Sequence, residues 1–339
     1  MIRYRMPAEW TPHERTWMSW PCADQTFGAT LEAARQEFAD VARAIARFEP
    51  VSMLHDPEKC DGIEALGDEP AIDLIPCPLD DSWMRDNGPS FVVGDDGRLA
   101  GVDWEFDGWG GDWPHDKDNA VAARVIALAG AERHKSDLIF EGGAFNIDDR
   151  GTIVTTRQCF EHRTRNGGPT QQAFEAELCG TLGQSKVIWL NRTLENDSTN
   201  GHVDVVAAFV PGGVLCQVSA DPDDPDYQNL LDNRAILQGE TDASGAALTV
   251  HEVTAPPVTR HPDGTRRFLS YINFYTVNGG VVVPQYGFPE HDQKALDVLG
   301  RLFPDREIVG VMTNTIADGG GNIHCITQQQ PKARKTSDA

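Results

Sequence analysis

Apolar runs and turns rich in glycine and aspartate alternate along this chain in a pattern that predicts β-hairpins. Each instance consists of an apolar run, a short Gly- or Asp-containing turn and a second apolar run. Four such hairpins are predicted over residues 90–104, 144–156, 203–218 and 272–284. A fifth is expected where residues 322–331 pair with residues 16–21 from the N-terminal end.

Amphipathic helices are predicted between these hairpins. Their apolar residues recur at helical spacing over residues 30–48, 119–130, 170–183 and 290–303. Short apolar strands follow some of them, at residues 186–190 and 307–312. The repeated module of strands and one helix predicts an α/β fold with radial repetition, as in a propeller, in which equivalent loops face one axis.

Polar residues that could carry chemistry occur at the same place in these modules, before or within the first strand of a hairpin. They are Asp86, Glu141, His202, Asp204 and Cys325. Taken singly, each has an ordinary alternative, because Asp86 before Asn-Gly-Pro can be a turn former and Glu141 before Gly-Gly can be a solvated loop charge. Their shared position predicts that separate modules each contribute one group to a central site.

The segment around His202 is predicted to be a strand. His202 and Asp204 alternate across Val203, so in a strand both side chains point to one face. Burial of that pair would be costly without partners, which favours a functional role. Exposure of the pair at a strand end is the alternative.

Cys325 follows three consecutive glycines, Gly319, Gly320 and Gly321. A lone cysteine is usually a core residue, but a packed thiol does not explain the glycines. Glycines allow the backbone to approach a ligand closely. This context predicts a nucleophile beside a binding site.

Composition and charge narrow the classes of function. The 339 residues are 40% hydrophobic and 24% charged, an ordinary globular balance, and 52 acidic against 29 basic residues give a net charge of -23. This charge disfavours nucleic acid and anionic membrane surfaces as partners, and it weakly favours a cationic substrate. No apolar stretch has the length of a membrane helix and the first residues lack a signal-peptide core, so we expect a cytoplasmic protein.

No metal or cofactor is expected. The seven cysteines show no paired spacing that would indicate a disulfide framework or a zinc ribbon. His202, Asp204 and His162 could ligate zinc in principle, but no metal-binding motif accompanies them. The Gly-rich segments also match no nucleotide-binding pattern.

The motifs SWMRDNGP, FEGG, NGHVD, YINFY and GGGNIHCITQQQP, in this order, resemble those of the agmatine deiminases, in the peptidylarginine-deiminase-like group of the guanidine-modifying penteins. The resemblance extends from the N-terminus to about residue 331. It implies a five-bladed α/β propeller with pseudo-fivefold symmetry. We therefore expect one catalytic domain over residues 1–331 and a flexible tail over residues 332–339.

The same resemblance implies roles for individual residues. Cys325 would be the nucleophile, His202 the general acid and base, and Glu141 the residue that orients His202. Asp86 and Asp204 would hold the guanidinium nitrogens. A metal-free hydrolysis of agmatine to N-carbamoylputrescine and ammonia, through a thiouronium on Cys325, is the implied reaction. The substrate contacts expected beyond this set are Trp83, Trp109, Gly320 and Asp318.

Several positions depart from the agmatine deiminase pattern, and they are predicted to lie near the far end of the substrate. They are residues 22–28, residues 161–170, residues 312–318 with Asp318, and Ser198, which stands where an acidic residue is common. The alternative that the protein is a deiminase of arginine, of peptidyl-arginine or of another small guanidino compound stays open. So do an amidinotransferase and a non-catalytic binding module. A homodimer is one open alternative for the oligomeric state.

Overall fold

A computed structural model describes residues 2–164 and 167–333. The strands are β1 (Tyr4–Arg5), β2 (His13–Ser19), β3 (Val51–His55), β4 (Ile72–Pro76), β5 (Ser90–Gly94), β6 (Leu99–Glu105), β7 (Glu132–Ile139), β8 (Phe145–Ile147), β9 (Thr152–Thr156), β10 (Lys186–Leu190), β11 (Ala207–Val210), β12 (Gly213–Val218), β13 (Val250–Thr254), β14 (Tyr275–Val277), β15 (Gly280–Gln285), β16 (Glu307–Met312) and β17 (Thr327–Pro331).

The helices are α1 (Asp24–Phe27), α2 (Leu31–Ala46), α3 (Met84–Asn87), α4 (Gly108–Gly111), α5 (Val121–Leu128), α6 (Arg157–Thr164), α7 (Gln171–Leu182), α8 (Tyr227–Gly239), α9 (Pro289–Leu302) and α10 (Asn314–Asp318). Short 3-10 turns complete the set, at Gly28–Thr30, Ile63–Leu66, Asp118–Ala120, Gly142–Ala144 and Val203–Val205. No helix in the described ranges is both long and apolar enough to cross a membrane.

The strands of the described chain form five separate sheets, in the orders β1-β5-β6-β7, β8-β9-β10, β11-β12-β13, β14-β15-β16 and β17-β2-β3-β4. Each sheet contains an antiparallel pair followed by a parallel strand, as in β14, β15 and β16. A helix lies in each connection between parallel neighbours except that between β3 and β4, which contains only the 3-10 turn Ile63–Leu66. Parallel neighbours need a crossover, whereas antiparallel neighbours need only a turn. The repeated module predicted from the sequence is therefore present five times.

All five predicted hairpins are present. The pairing between the two ends of the chain is antiparallel, with Thr327 opposite Met18 and Gln330 opposite Arg15. The predicted strands over residues 186–190 and 307–312 are also present, and the four predicted helices match α2, α5, α7 and α9. Helix α8 was not predicted.

The prediction of a strand through His202 is wrong. Residues 203–205 form a 3-10 turn that begins after His202, and the strand starts only at Ala207. His202 and Asp204 therefore do not owe their positions to strand alternation. Of the predicted flexible tail, residues 334–339 lie outside the described residues.

Apolar side chains of the sheets pack against the helices in several buried clusters. One contains Phe38 and Ile45 of α2 with Met53 of β3, all fully buried. Another joins Phe145 of β8 with Phe174 of α7. Burial of these apolar faces stabilises the packing of each sheet against its helices. The loops that carry the polar candidates are thereby fixed by rigid elements on both sides.

Candidate active site

The five candidate side chains all lie just before the first strand of a hairpin, as the repeat predicts. Asp86 is in the short helix α3 before β5, and Glu141 precedes the turn that leads into β8. His202 and Asp204 precede β11, and Cys325 precedes β17. All five are buried, with at most 3% of each residue exposed. Burial of so many ionisable groups is costly, so each must have partners.

Cys325 is held by an amide and a carboxylate. Its sulfur lies 3.4 Å from Asp204 Oδ2, to which the thiol donates, and Asn273 Nδ2 donates to the sulfur at 3.2 Å. Asn273 Oδ1 accepts hydrogen bonds from the backbone N–H of Cys325 and of His324. Burial, together with the charges of Asp204 and Asp86, raises the pKa of Cys325 well above its usual value. The thiol is therefore protonated in the substrate-free protein.

His202 lies between two carboxylates. Its Nδ1 is 3.7 Å from Asp86 Oδ1 and its Nε2 is 3.5 Å from Glu141 Oε2. Burial alone would lower the pKa of His202, but the carboxylates of Asp86, Glu141 and Asp204 raise it to about 9. The imidazole is thus protonated at neutral pH and is able to donate a proton to a leaving group.

Glu141 is fixed by a cation that the sequence did not single out. Arg163 of α6 donates from Nε to Glu141 Oε1 at 2.8 Å, and both side chains are fully buried. Burial alone would raise the pKa of Glu141, but the Arg163 guanidinium and His202 lower it. Glu141 is consequently ionised and directs its other oxygen towards His202.

Asp86 is oriented by the loops around it. Trp109 Nε1 donates to its Oδ2 and the backbone N–H of Gly143 donates to its Oδ1, each at 3.0 Å. A Cβ added at Gly143 would lie 2.6 Å from His202 Nδ1 and 2.8 Å from Asp86 Oδ1, so only glycine fits there. Burial raises the pKa of Asp86 to about 6, although protonated His202 opposes this effect.

Asp204 belongs to a second network of charges that sequence reasoning missed. His324 Nδ1 contacts Asp204 Oδ2 at 2.8 Å, and His324 Nε2 contacts Glu9 Oε1 at 3.0 Å. An imidazole with a carboxylate at each nitrogen donates to both when it is protonated. Although burial alone would raise it, the pKa of Asp204 is lowered by His324. Asp204 Oδ1 has no hydrogen-bond partner, so one oxygen is available to a ligand.

A cavity adjoins this group of side chains. Two of the five candidates, Asp86 and Cys325, line it, whereas Glu141, His202 and Asp204 lie outside its lining. The predicted contacts Trp83, Trp109 and Gly320 also line the cavity. Thr26, from residues 22–28, and Ser198 were expected near the far end of the substrate, Gly319 belongs to the glycine run before Cys325, and all three are in the lining. The lining residues that were not predicted are Asp81, Trp113 and Thr199. Among the described lining residues there is no lysine or arginine. With two carboxylates and three indoles, the cavity suits a small cation, because aromatic faces and acids both attract positive charge.

Trp109 adopts a backbone conformation that is rare for a bulky residue. Its φ is 58° and its ψ is 39°, and Gly108 and Gly110 on either side also have positive φ. An aromatic residue in the left-handed region, which favours glycine, carries backbone strain. Such strain persists only where the surrounding structure holds the residue in place. Here the strained turn directs the indole N–H onto Asp86.

The remaining sequence candidates are placed elsewhere. Asp318 is outside the cavity lining and forms an ion pair with Arg267, 2.7 Å from its Nε. Its proximity in sequence to the glycines did not place it in the cavity, because it ends α10 with its carboxylate towards Arg267. His202, Glu141 and Cys159 present ligand atoms within 4.8 Å of one another. The guanidinium of Arg163, which is paired with Glu141, would repel a metal cation at this position.

Comparison with known proteins identifies the relationship. The model of the Porphyromonas-type peptidyl-arginine deiminases matches residues 5–331. The chain belongs to this family. An agmatine deiminase from Stutzerimonas stutzeri is 39% identical to this family member, over 97% of the chain and 95% of the relative.

Solved structures support the same relationship. An agmatine deiminase of Enterococcus faecalis superimposes on this deiminase-family chain with a TM-score of 0.91 and 37% identity, covering 97% of this chain and 96% of that one. An amidinotransferase from Microseira wollei, with a TM-score of 0.56 and 12% identity over 98% of both chains, shares the fold alone. The family member therefore has an α/β pentein fold.

Proposed function

We propose that this protein hydrolyses agmatine to N-carbamoylputrescine and ammonia through a covalent intermediate on Cys325. The observation that carries the proposal is the lining of the cavity, which contains the thiol of Cys325, the carboxylates of Asp81 and Asp86, and three indoles. None of the described lining residues is basic. Relatives and a solved structure that bear the name agmatine deiminase support it. A small cationic guanidine is the proposed substrate.

The guanidinium is proposed to bind between Asp86 and Asp204. Paired carboxylates give bidentate hydrogen bonds that fix the plane of a guanidinium, and Asp204 Oδ1 is the buried oxygen left without a partner. Binding brings the guanidinium carbon to Cys325, whose sulfur contacts the other oxygen of Asp204. Positioning of the two reactants is a large part of the rate enhancement.

Catalysis is proposed to proceed in two steps. As the guanidinium binds, the Cys325 thiol releases its proton to water. The thiolate bonds to the guanidinium carbon, and the C–N bond to the departing nitrogen breaks as His202 donates a proton to that nitrogen. Ammonia leaves and a thiouronium remains on Cys325. His202 then accepts a proton from water, and the hydroxyl adds to the same carbon. The C–S bond breaks as the proton of that hydroxyl passes to the sulfur, which releases the neutral ureido group and restores the Cys325 thiol.

Agmatine is favoured over arginine by the charges around the cavity. The carboxylate of arginine needs a cationic partner, and none of the described lining residues supplies one. We expect kcat/KM for arginine to be at least ~100-fold below that for agmatine, which corresponds to one unpaired buried charge. We expect no ammonia release from an arginyl peptide. An amidinotransferase would transfer the amidino group to an added amine, which product analysis distinguishes.

The architecture proposed for this function is a propeller. We infer that the five sheets are blades around a pseudo-fivefold axis, within one catalytic domain over residues 1–331. The recurrence of the same strand order in each sheet supports this arrangement. A cytoplasmic location and a homodimer stay predictions.

Mass spectrometry of protein quenched during turnover tests the function. With agmatine, the peptide that contains Cys325 should gain the mass of agmatine less ammonia. Cys60→Ser, which changes a cysteine outside the cavity, should keep both the adduct and ammonia release. Cys325→Ser should lose both. An adduct on another cysteine, or ammonia release by Cys325→Ser, would contradict the proposal.

A further inference from the structure

The cavity contains a second carboxylate for which the reaction described above has no use. Besides Asp86, Asp81 is the acid among the described lining residues, and it is 4% exposed. It lies two residues before Trp83, and its backbone N–H donates to Asp118 Oδ2 at 3.0 Å. An acid that lines a substrate cavity without touching the reacting groups can contribute to substrate selection.

Four hydrogen bonds hold the carboxylate of Asp81 in place. The backbone N–H and the hydroxyl of Ser82 donate to Oδ1 at 2.8 and 3.3 Å, and Trp83 Nε1 donates to Oδ2 at 3.0 Å. The fourth donor is the Thr26 hydroxyl, which contacts Oδ2. Burial raises the pKa of Asp81, and these four donors oppose that effect because each of them favours the ionised carboxylate. The four hydrogen bonds also give the carboxylate a fixed orientation.

Trp83 sets the separation between Asp81 and the nucleophile. A Cβ built on Gly321 would lie 2.5 Å from Trp83 Cζ3 and 3.1 Å from Cys325 Sγ, so one end of the indole lies beside the sulfur. The N–H at the opposite end of the ring is bound to Asp81. Asp81 is therefore separated from Cys325 by the length of this indole together with the contacts at its two ends. We infer that a chain attached to a guanidinium at Cys325 and extended over this ring is directed towards Asp81.

Thr26 provides the contact to a substrate. Its side chain also lines the cavity, and a hydroxyl that donates to a carboxylate can still accept a hydrogen bond. An ammonium group that donates to Thr26 Oγ1 would be stabilised by the negative charge of Asp81 directly behind it. Neither group would bind a carboxylate or an alkyl end in this way.

We propose that Asp81, acting through the hydroxyl of Thr26, recognises the terminal ammonium of the substrate and so determines specificity for guanidines with a cationic tail. This inference rests on the proposed function and names the part of the substrate that the reacting groups leave unrecognised. It assigns Asp81 to substrate selection as well as to the orientation of Trp83.

The test compares agmatine with pentylguanidine, which replaces the terminal ammonium by a methyl group of similar size. Ammonia release gives kcat/KM for both compounds in the wild type and in Asp81→Asn. We expect the wild type to prefer agmatine by ~10–100-fold, the value of a charge-assisted hydrogen bond in a buried site. Asp81→Asn should lose most of this preference, because kcat/KM falls for agmatine and changes little for pentylguanidine.

Two further variants separate recognition from structure. Thr26→Val keeps the shape of the side chain and should reduce the preference for agmatine in the same direction. Trp83→Phe removes the indole N–H on Asp81 and should lower kcat/KM for both compounds while the preference remains. If Asp81→Asn does not fold, as judged by circular dichroism, the inference is tested by Thr26→Val alone. The quantity compared is then the ratio of kcat/KM for agmatine to kcat/KM for pentylguanidine.

Three results would contradict the inference on Asp81. An equal decrease for both compounds in Asp81→Asn, or an unchanged ratio in Thr26→Val, would show that Asp81 only supports Trp83. A wild type that prefers pentylguanidine or treats both alike would also refute the inference, while its activity would leave the deiminase reaction intact. No ammonia release from any guanidine would instead refute the proposed function.

Discussion

Replacement of Arg163 by methionine should damage both the stability and the chemistry of the site. The guanidinium contacts Glu141 Oε1 at 2.8 Å and the carbonyl oxygen of Thr199 at 2.8 Å. It also contacts the carbonyl oxygen of the strained Trp109 at 3.4 Å. One side chain thus joins the acid beside His202, the loop that leads to His202 and the wall of the cavity.

The expected magnitude follows from burial. Arg163 and Glu141 are both fully buried, so Arg163→Met leaves an ionised carboxylate without its partner, at a cost of about 3–5 kcal/mol in the free energy of unfolding. Glu141 would no longer be held against the imidazole of His202. Because misplacement by about 1 Å can reduce a rate ~100-fold, kcat should fall by ~10–100-fold. KM should change less, since Arg163 is outside the cavity lining.

The assay combines urea unfolding with steady-state ammonia release. The stability cost of Arg163→Met should be smaller in a Glu141→Gln background, where no charge is left unpaired. Arg163→Lys, which keeps the charge but not the planar set of donors, should be intermediate. Arg157→Met alters an exposed arginine of the same helix and should leave kcat unchanged. An Arg163→Met protein with wild-type kcat and unfolding free energy would refute this reasoning.

Three further predictions concern the charges and the wall of the site. Glu141→Gln removes one of the acids that hold the pKa of His202 at about 9, so the upper limb of the kcat/KM profile should move to lower pH; an unmoved limb would exclude His202 as its source. His324→Gln should raise the pKa of Asp204, because the hydrogen bond and charge that lower it are lost. Because Asp86, with a pKa of about 6, limits activity on the acid side, the shift is read directly from an NMR titration of the Asp204 carboxyl. Its midpoint should move to higher pH, and a move to lower pH would contradict this. Trp109→Phe loses the indole hydrogen bond, worth about 1.5–3 kcal/mol to a charged acceptor, and should lower kcat/KM by ~10–100-fold in ammonia release with little change in melting temperature. Wild-type kcat/KM would show that the hydrogen bond has no role.

Sequence patterns predicted the modules well because hairpins and amphipathic helices are local. The pairing of β17 with β2 was also predictable, since residues 16–21 were left without a partner at the other end of the chain. The 3-10 turn after His202 was not predictable. Its apolar valines fit a strand equally well, and the turn depends on Asp197, which accepts hydrogen bonds from the backbone N–H groups of Gly201 and His202.

Position in the repeat was sufficient to bring the candidate acids, the imidazole and the thiol together, but it gave no information about their partners. Arg163 lies in α6, and nothing in the sequence connected it with Glu141. Glu9 lies in the N-terminal segment that was noted only for its resemblance to the family. Asn273 lies in the predicted hairpin over residues 272–284 but was not singled out. Such partners are found only when the fold is known, because burial and distance decide which charges pair. His324 offered one signal, since it adjoins Cys325 in sequence.

The charges of the site also explain how a buried thiol can be unreactive until its substrate binds. In the substrate-free protein, Asp204 and Asp86 raise the pKa of Cys325, and the thiol donates to Asp204 Oδ2. His324 already neutralises part of Asp204 from the side of Oδ2, which leaves Oδ1 to be paired. A guanidinium bound between the two acids would supply that pairing and remove their effect on the sulfur. Opposite charge nearby favours the ionised form of a thiol, so in the proposed mechanism the interaction that positions the substrate would also generate the thiolate that attacks it. A neutral compound of the same shape would bind without activating Cys325.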